Sequence, residues 1–346
     1  MSNDRVFRAG VIGIGKRGLQ LARICSQLPN AEIVAAADMN PAHLERAVEE
    51  LGEISCYEHH RALLDNESLD FVIIGTWGLE RRVPTVDSAN AGVKGLFIEK
   101  PMATSLADCD AMIEACRRNG TVLTVGHQHR WWPDYHLIRD RLRGGAIGKV
   151  THGYFHWTNG RVGSFGTHMF DLLNIVVDSE AEWVSGRLDP TSKPWPAWPD
   201  ILDPGAMGFI VYKNGVRIAL DAMEDVRQPI DILLFGTTGR LHILEDGANV
   251  RHWIRPDGST DYEEPLVEHA FELPAQPENR HDAGTLAGLA ELLECMETGR
   301  EPSSTGTHGR QALEIIAAIH VSSRQDMRVV RLPLAGNDVE MDLEFR

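Results

Sequence analysis

The fold of this chain is decided near its beginning, where residues 9–18 read Ala9-Gly10-Val11-Ile12-Gly13-Ile14-Gly15-Lys16-Arg17-Gly18. An apolar run over Val6–Ile12 predicts a buried strand, and the pattern of Lys16–Gln27 predicts a helix directly after the glycines. Three glycines between a strand and a helix, at the spacing G-x-G-x-x-G, are typical of a turn that holds a dinucleotide. The first permits a tight turn, the second lets a pyrophosphate approach the backbone, and the third packs the helix against the sheet.

An aspartate follows at the distance that this pattern requires. Asp38 lies 20 residues after Gly18, at the end of the strand-like run Ile33–Ala37. A carboxylate at this place accepts hydrogen bonds from the ribose hydroxyls and repels a 2′-phosphate, so it favours NAD over NADP. Asp38 could also cap the helix predicted to start at Pro41, a role compatible with binding ribose. The residues expected to contact the cofactor are Gly13, Ile14, Gly15, Lys16, Arg17, Asp38, Met39, Thr76, Trp77, Glu99, Lys100 and Gln128.

The rest of residues 1–126 continues the alternation of short apolar runs and helical stretches. Further buried strands are predicted at Phe71–Ile74, Leu96–Ile98 and Val122–Val125. Ser105 and Gly120 are placed to cap the two ends of a helix between the last two strands. Continuous apolar runs separated by helices are typical of a parallel sheet covered on both faces. The first domain is therefore predicted to be a doubly wound α/β fold over residues 1–126.

The pattern changes after residue 126. Alternating strand-like segments predominate from Val150 to Glu245, and Asn214-Gly215 lies between two of them as a hairpin signal. Helices are predicted at Asp134–Arg143 and Phe165–Ile175 and, near the end, at Asp282–Glu297 and Gly309–Arg324. We therefore expect residues 127–346 to form an α/β domain with a large open, mainly antiparallel sheet. A cleft between the two domains is the expected place for chemistry.

Composition excludes several classes of protein. The 346 residues include 34 basic and 50 acidic ones, a net charge of −16, with 13 basic and 17 acidic residues in 1–126. This charge disfavours nucleic acid as a partner, and an anionic cofactor must be held by local backbone amides. The sequence shows no membrane-spanning run and no signal-peptide pattern, and its five scattered cysteines predict neither disulfides nor a zinc site. We expect a cytoplasmic protein without a bound metal.

Several stretches together give the chain a family resemblance. They are the glycine turn with Ala37–Pro41, the run Asp70–Thr76, the triplet Glu99-Lys100-Pro101, Gly126–Arg130 with the later Gly145–Val150, and Gly166–Asp171. Over nearly its whole length the chain resembles the glucose–fructose oxidoreductase / inositol dehydrogenase / rhizopine catabolism family, Gfo/Idh/MocA. The resemblance implies a Rossmann domain followed by an open-sheet α/β domain. It also implies hydride transfer between a nicotinamide cofactor and a sugar, cyclitol or related polyol.

The chain departs from the family pattern in two places. Family members commonly read D-x-G-x-H-x-x-D at the active-site helix, whereas here Ser164 replaces the first aspartate while His168 and Asp171 match. The fourth strand is usually followed by a proline and a histidine-containing turn, whereas here Thr76-Trp77-Gly78-Leu79-Glu80 follows it. Because Ser164 carries no charge to support an imidazolium, we expect Lys100 and His168 to share the acid–base work more evenly than usual.

Three residues are the candidate catalytic groups. Oxidation of a secondary alcohol needs a base, and His168 suits this role because imidazole titrates near neutral pH and the first turn of a helix favours the neutral ring. Lys100 would stabilise the developing alkoxide or share its proton, at the carboxyl edge of the parallel sheet. Asp171 lies three residues after His168 on the same helix face, where it could bind a substrate hydroxyl or orient the imidazole.

A second set of residues flanks the expected cleft. The residues expected to contact substrate are Lys100, Gln128, Arg130, Trp157, Arg161, Ser164, His168 and Asp171, with Asn159 as a further neighbour. Trp157 suits the apolar face of a sugar ring and Arg161 an anionic substrate, although packing or a surface charge would explain each equally well. Trp131-Trp132 is expected in the core or an interface, and the adjacent His59-His60 cannot face one metal site on a helix.

The favoured function is that of an NAD-dependent dehydrogenase of a neutral sugar, cyclitol or glycoside. One alternative is an NAD-retaining glycosidase or epimerase that oxidises its substrate transiently. Others are a non-catalytic sugar or nucleotide sensor on the same fold and an NADP reductase, which Asp38 disfavours. The open sheet face of this fold often pairs with another subunit, so a homodimer or homotetramer is expected.

Overall fold

The structure is a computed structural model that describes residues 5–158, 160–194, 199–343 and 345. The described chain divides into two compact units. The first comprises the described residues up to Trp131 together with Asn279–Arg310, and the second those of Trp132–Glu278 and Gln311–Phe345. The sequence predicted a single division, after residue 126. The change of unit comes slightly later, and the return of the chain to the first unit at Asn279 was not predicted.

Six parallel strands form the sheet of the first unit. They are β1 (Phe7–Ile12), β2 (Ala31–Ala37), β3 (Ser55–Tyr57), β4 (Phe71–Ile74), β5 (Gly95–Ile98) and β6 (Val122–Val125), in the order β3-β2-β1-β4-β5-β6. All four residues of β4 are buried, as the continuous apolar run predicted. The strand order reverses between β1 and β4, which is the place where doubly wound sheets bind nucleotides. The predicted Rossmann topology is therefore confirmed.

Helices of the first unit begin and end at residues with the expected local chemistry. Up to Trp131 the α-helices are α1 (Lys16–Cys25), α2 (Pro41–Leu51), α3 (His60–Asn66), α4 (Arg82–Asn90) and α5 (Leu106–Asn119). The Ser105 hydroxyl accepts the Asp108 N–H at the start of α5, and Gly120 ends this helix with a φ of +67°. Both predicted caps of α5 are thus confirmed.

The chain returns to the first unit because α8 (Arg280–Thr298) carries an apolar face that packs there. Leu289, Leu292 and Leu293 of this helix are buried in the same apolar cluster as Phe71 and Phe97. This contact joins segments almost 200 residues apart in sequence, and a prediction from local pattern placed α8 in the second domain for that reason.

A nine-stranded sheet forms the centre of the second unit. Its strands are β7 (Val150–His156), β8 (Ala181–Leu188), β9 (Ala206–Tyr212), β10 (Arg217–Ala222), β11 (Asp231–Gly236), β12 (Gly239–Leu244), β13 (Asn249–Ile254), β14 (Val267–His269) and β15 (Val330–Arg331). Their order is β14-β13-β12-β11-β7-β10-β9-β8-β15. Among the described pairs, β7 and β10 run parallel and the others antiparallel. Asn214-Gly215 forms the predicted turn between β9 and β10, with Gly215 at a φ of +88°.

Three more helices accompany this sheet in the chain: α6 (Pro133–Arg143), α7 (Gly166–Val177) and α9 (Gly306–Ser323). Every residue of α7 except Asn174 is buried. A helix that is apolar on all sides belongs to a core, so its polar residues sit in a sheltered environment. No helix in the described part of the chain has the length and apolar character that crossing a bilayer requires.

Candidate functional site

The glycine turn between β1 and α1 has room only for glycine at two positions. Gly13 has a φ of +78°, and a Cβ there would lie 2.7 Å from both the backbone nitrogen and Cγ2 of Thr76. A Cβ on Gly18 would lie 2.0 Å from the carbonyl oxygen of Gly13. Gly75 also packs closely, since its added Cβ would lie 2.6 Å from the same oxygen. The ends of β1 and β4 and the start of α1 are therefore held in direct backbone contact.

The first turn of α1 is suited to an anion. Gly15 is its N-cap, and the turn continues as Lys16-Arg17-Gly18, a sequence without a carboxylate. Lys16 is exposed, whereas Ile14 is buried beneath the turn. A helix N-terminus presents backbone N–H groups and the positive end of its dipole. The chemistry of this turn therefore fits a pyrophosphate.

Asp38 lies at the end of β2 and is held by local contacts. Its Oδ1 accepts the N–H of Asn40 at 2.9 Å and lies 3.1 Å from Nδ1 of His43. The cap of α2 is Asn40, which accepts the Ala42 N–H, so the reading of Asp38 as a helix cap is wrong. The His43 ring also faces Gly15, since its Cε1 lies 3.4 Å from the Cβ that Gly15 would carry. No sequence pattern singled out His43. Met39, directly after Asp38, is 78% exposed.

Glu99 is a counter-ion to nearby basic residues of the first unit. It is buried at the end of β5, where Oε1 accepts Nε–H of Arg17 at 2.7 Å and Oε2 accepts the Lys100 N–H at 2.9 Å. Burial alone would raise the pKa of Glu99, but the charges of Arg17, Lys100 and Arg81 outweigh it and bring the pKa below its ordinary value. Both carboxylate oxygens of Glu99 therefore bind protein groups, and its contact with the cofactor stays a prediction.

A buried arginine that the sequence did not single out connects β4 to β5. The guanidinium of Arg81 donates to the carbonyl oxygens of Thr76 and Pro101. Burial lowers the pKa of Arg81 to about 10, against the opposing charge of Glu99. These two bonds hold the segments that carry Thr76-Trp77 and Lys100. In the sequence, Arg81 lies between Glu80 and Arg82, and no pattern there indicates that it is buried.

The residues after β6 contact the returning segment of the first unit. Nε2 of Gln128 lies 3.0 Å from Nδ1 of His281, and Nη1 of Arg130 donates to the Ser303 carbonyl at 3.2 Å. Trp131 donates from Nε1 to Glu291 at 2.7 Å, which supports its prediction as a packing residue. Gln128 and Arg130 are thus tied to protein groups that lie far along the chain.

The buried helix α7 places two of the candidate catalytic residues. His168 and Asp171 are both buried, three residues apart near its start. The His168 N–H donates to the Phe165 carbonyl at 3.0 Å, and the Thr167 N–H to the Gly163 carbonyl at 3.2 Å. The backbone of residues 163–165 therefore sets where the first turn of α7 begins.

Trp157 is a core residue, which contradicts its expected role as a platform for a sugar ring. It is fully buried, and Nε1 donates to the Gly160 carbonyl at 2.8 Å. Its ring centroid lies 5.3 Å from that of Phe155 and 5.7 Å from that of Phe170. The ring therefore has no exposed surface for a sugar. Asn159, named as a neighbour of the expected site, lies outside the described residues.

The turn before α7 is built around a carboxylate from another segment. Asp203 accepts the Gly163 N–H on Oδ1 at 2.7 Å, and the N–H and hydroxyl of Ser164 on Oδ2 at 2.8 and 2.5 Å. Burial raises the pKa of Asp203, while these bonds and the charge of Arg161 oppose the rise. Arg161 has a φ of +58°, and its guanidinium lies 5.7 Å from the Phe165 ring centroid. In the described part of the chain, no His, Cys, Asp and Glu residues form a group of three able to hold a metal.

Comparison with known proteins agrees with this geometry. Residues 7–127 match the family described as Oxidoreductase family, NAD-binding Rossmann fold, abbreviated GFO_IDH_MocA. Over these residues the chain is similar to the Gfo/Idh/MocA family. The matched stretch contains the glycine turn, Asp38 and Lys100, and it covers most of the first unit.

Two known dehydrogenases and a solved oxidoreductase are similar to this chain along most of its length. A D-apiose dehydrogenase from Paraburkholderia graminis is 26% identical over 93% of this chain and 89% of its own. An inositol 2-dehydrogenase from Acidothermus cellulolyticus is 26% identical over 96% of this chain and 97% of its own. An oxidoreductase from Agrobacterium radiobacter, solved with NAD+, L-tartaric acid and magnesium, has the same fold: its TM-score is 0.77 at 20% identity, covering 94% of this chain and 98% of that one.

Proposed function

We propose that this protein is an NAD-dependent dehydrogenase that transfers a hydride between nicotinamide and a secondary alcohol of a neutral sugar, cyclitol or glycoside. The main support for this proposal is the glycine turn, which matches an NAD-binding oxidoreductase family and is followed by Asp38 at the end of β2. The apiose and inositol dehydrogenases among the relatives support a polyol substrate.

The first unit would hold the cofactor through few groups. Backbone amides at Gly15, Lys16 and Arg17 suit the pyrophosphate, because they open a helix without a carboxylate in its first turn. Asp38 suits the ribose hydroxyls and disfavours a 2′-phosphate, which is why we propose NAD and not NADP. When bound, the nicotinamide would accept the hydride from the substrate carbon.

The acid–base work falls to three residues in this proposal. His168 takes the hydroxyl proton, because a buried imidazole in the first turn of a helix favours its neutral form. Lys100 stabilises the developing alkoxide by its charge. Asp171 binds a substrate hydroxyl or orients the imidazole from one turn further along α7.

Local charges favour a neutral substrate. Of the cations expected near the substrate, Arg130 donates to the Ser303 carbonyl, and the charge of Arg161 acts on the half-buried Asp203. A strongly anionic substrate would need several cations whose charges are not already balanced. We therefore propose a polyol, sugar or glycoside without a carboxylate or phosphate.

The function is tested by recording NADH formation over a set of aldoses, cyclitols, glucosides and sugar acids. With the best substrate, Lys100→Met and His168→Ala should each lower kcat by about 100-fold or more, as expected for loss of a proton-transferring or charge-stabilising group. The exposed Lys94→Met and His269→Ala serve as matched controls. Near-normal turnover in both site variants would overturn the assignment. Retained NAD with no net NADH would indicate transient oxidation instead.

Two further properties belong to the proposal. The exposed face of the second-unit sheet carries Tyr154, Met207 and Phe209, which are 39%, 39% and 52% exposed. An apolar patch of this kind is typical of a subunit interface, so we propose a homodimer or homotetramer. All five cysteines are free, four of them buried, which suits a reducing compartment such as the cytoplasm.

A further inference from the structure

The carboxylate of Asp203 is the organising group of the turn that leads into α7. It accepts three hydrogen bonds from two consecutive residues, Gly163 and Ser164. A Cβ on Gly163 would lie 2.9 Å from Asp203 Oδ1 and 2.4 Å from the Phe345 ring. Only glycine therefore lets the backbone approach the carboxylate this closely, and the turn is shaped around it.

The segment that carries Asp203 follows the turn over several residues. The Val162 N–H donates to the Pro204 carbonyl at 2.8 Å. An added Cβ on Gly160 would lie 2.9 Å from the backbone nitrogen of Gly205. Residues 203–205 thus lie along residues 160–164, so Asp203 is fixed by its neighbours and is not a mobile surface acid.

The hydrogen bonds identify the charge state that this arrangement stabilises. All three contacts are donors, which complements an ionised carboxylate, a group that can only accept. Arg161 adds a positive charge that acts on Asp203. Because the single Ser164 hydroxyl proton is directed to Asp203 at 2.5 Å, the Ser164 oxygen keeps only acceptor capacity toward any other group.

We infer that Asp203 is a positioning residue for the active-site helix, supplying at Ser164 a negative charge that residue 164 does not itself carry. Asp203 holds the backbone of Gly163 and Ser164 in place. These residues lie directly before α7, and Ser164 precedes His168 by one helical turn. The Ser164 oxygen can then accept a hydrogen bond, and the carboxylate of Asp203 that holds its proton makes it a stronger acceptor. This inference rests on the proposed function for its catalytic consequence only, because the contacts themselves are independent of it.

This role of Asp203 predicts how substitutions at residue 164 affect the turn before α7. Ser164→Asp alone places a second carboxylate against Asp203, and two like charges at hydrogen-bond distance repel each other. The same substitution combined with Asp203→Ser moves the carboxylate from one segment to the other and restores a hydroxyl partner. The single changes should therefore both be harmful, and the double variant should be better than either.

The test compares full-length wild type, Asp203→Asn, Asp203→Ser, Ser164→Asp and the double variant Ser164→Asp/Asp203→Ser. Asp200→Asn, an exposed acid in the same segment, is the matched control. Hydrogen exchange of the peptide over residues 163–168, NAD affinity, kcat and KM are measured for each. We expect Asp203→Asn to speed exchange in that peptide and lower kcat by about 10-fold or more, the equivalent of one hydrogen bond to a charged group, while NAD affinity stays unchanged.

The outcomes separate this inference from the proposed function. We expect the double variant to recover at least about 10-fold in kcat over Asp203→Ser. Exchange and kcat within about twofold of wild type in Asp203→Asn would overturn the inference, as would a double variant no better than the single ones. If no substrate yields NADH with wild type, the proposed function fails while the exchange data still decide whether Asp203 holds the turn. A variant that also loses NAD binding has unfolded. In that case the inference is tested by whether the double variant has a higher kcat than the single variants.

Discussion

The partly exposed Arg17 and the buried Glu99 form an ion pair, 2.7 Å from Nε to Oε1, between the first turn of α1 and the end of β5. The pair joins the turn proposed to hold pyrophosphate to the residue directly before Lys100. The placement of Lys100 therefore depends on α1 as well as on its own strand, because Glu99 also accepts the Lys100 backbone N–H.

This pair should make the protein sensitive to acid. The pKa of Glu99 is lowered in the fold, so its contribution to stability is complete above the unfolded value of about 4.3 and is lost as pH falls through the folded pKa. Glu99→Gln should cost about 3 kcal/mol at pH 7 and should flatten the loss of stability between about pH 5 and pH 3. Urea unfolding over this pH range measures both effects.

Glu114 provides the control for that experiment. Its pKa is also lowered, by a hydrogen bond from Arg117, but the pair is exposed on α5. Glu114→Gln should leave stability and its dependence on pH nearly unchanged, because exposed ion pairs contribute little. Equal acid sensitivity of wild type and Glu99→Gln would contradict the role given to the Arg17–Glu99 pair.

Asp38 should set the preference between the two dinucleotides. Asp38→Ser removes the acceptor for the ribose hydroxyls and the charge that repels a 2′-phosphate, so NAD should bind about 10-fold more weakly and NADP more tightly. Calorimetric titration with each cofactor gives the ratio of affinities. Glu49→Ser, an exposed acid on α2, should leave that ratio unchanged. An unchanged ratio in Asp38→Ser would show that another group discriminates.

Gly13 should tolerate no side chain, because a Cβ there would collide with Thr76. This steric effect can be measured separately from the effect of the positive φ angle. Gly13→Ala meets the Thr76 backbone nitrogen at 2.7 Å in addition to a φ of +78°. No described atom lies within 4 Å of the Cβ of a Gly52→Ala variant, whose φ is +88°. Gly52→Ala should therefore cost about 1–2 kcal/mol, and Gly13→Ala at least about 1 kcal/mol more, with loss of NAD binding. Equal costs by thermal unfolding would mean that the contact is unimportant.

Phe209 should be central to subunit association. Phe209 pairs with Ala219 and Ala219 with Tyr154, so these side chains form one row across β9, β10 and β7. Phe209→Asp would place a charge in the proposed apolar interface and should lower the molar mass measured by light scattering after size exclusion. Tyr262→Asp, at an 82% exposed position, is the control. A monomeric wild type, or an unaltered mass in Phe209→Asp, would refute this interface.

Local sequence patterns predicted the elements that local physics controls. The continuous apolar runs gave β1, β4, β5 and β6, and turn chemistry gave the α5 caps and the hairpin at Asn214-Gly215. Short or edge elements were missed, as with β3, α3 and β15, since too few residues carry a pattern. The glycine spacing and Asp38 were enough to predict the Rossmann fold. Each glycine is needed for the backbone conformation or close packing of a single strand–turn–helix unit, so the pattern is local.

Contacts between distant segments were decided only by tertiary structure. The sequence alone determined the nucleotide-binding topology, because periodicity and glycine geometry act over a few residues. The family resemblance of the sequence named His168 and Lys100 as candidates. The sequence could not show that Glu99 is neutralised by Arg17, that Trp157 is enclosed by Phe155 and Phe170, or that α8 returns to the first unit. Nor could it show that Asp203, from 39 residues along the chain, brings a carboxylate to Ser164. Burial and hydrogen bonding depend on which segments are in contact in the folded chain. Local sequence patterns do not specify contacts between segments that are far apart in the sequence.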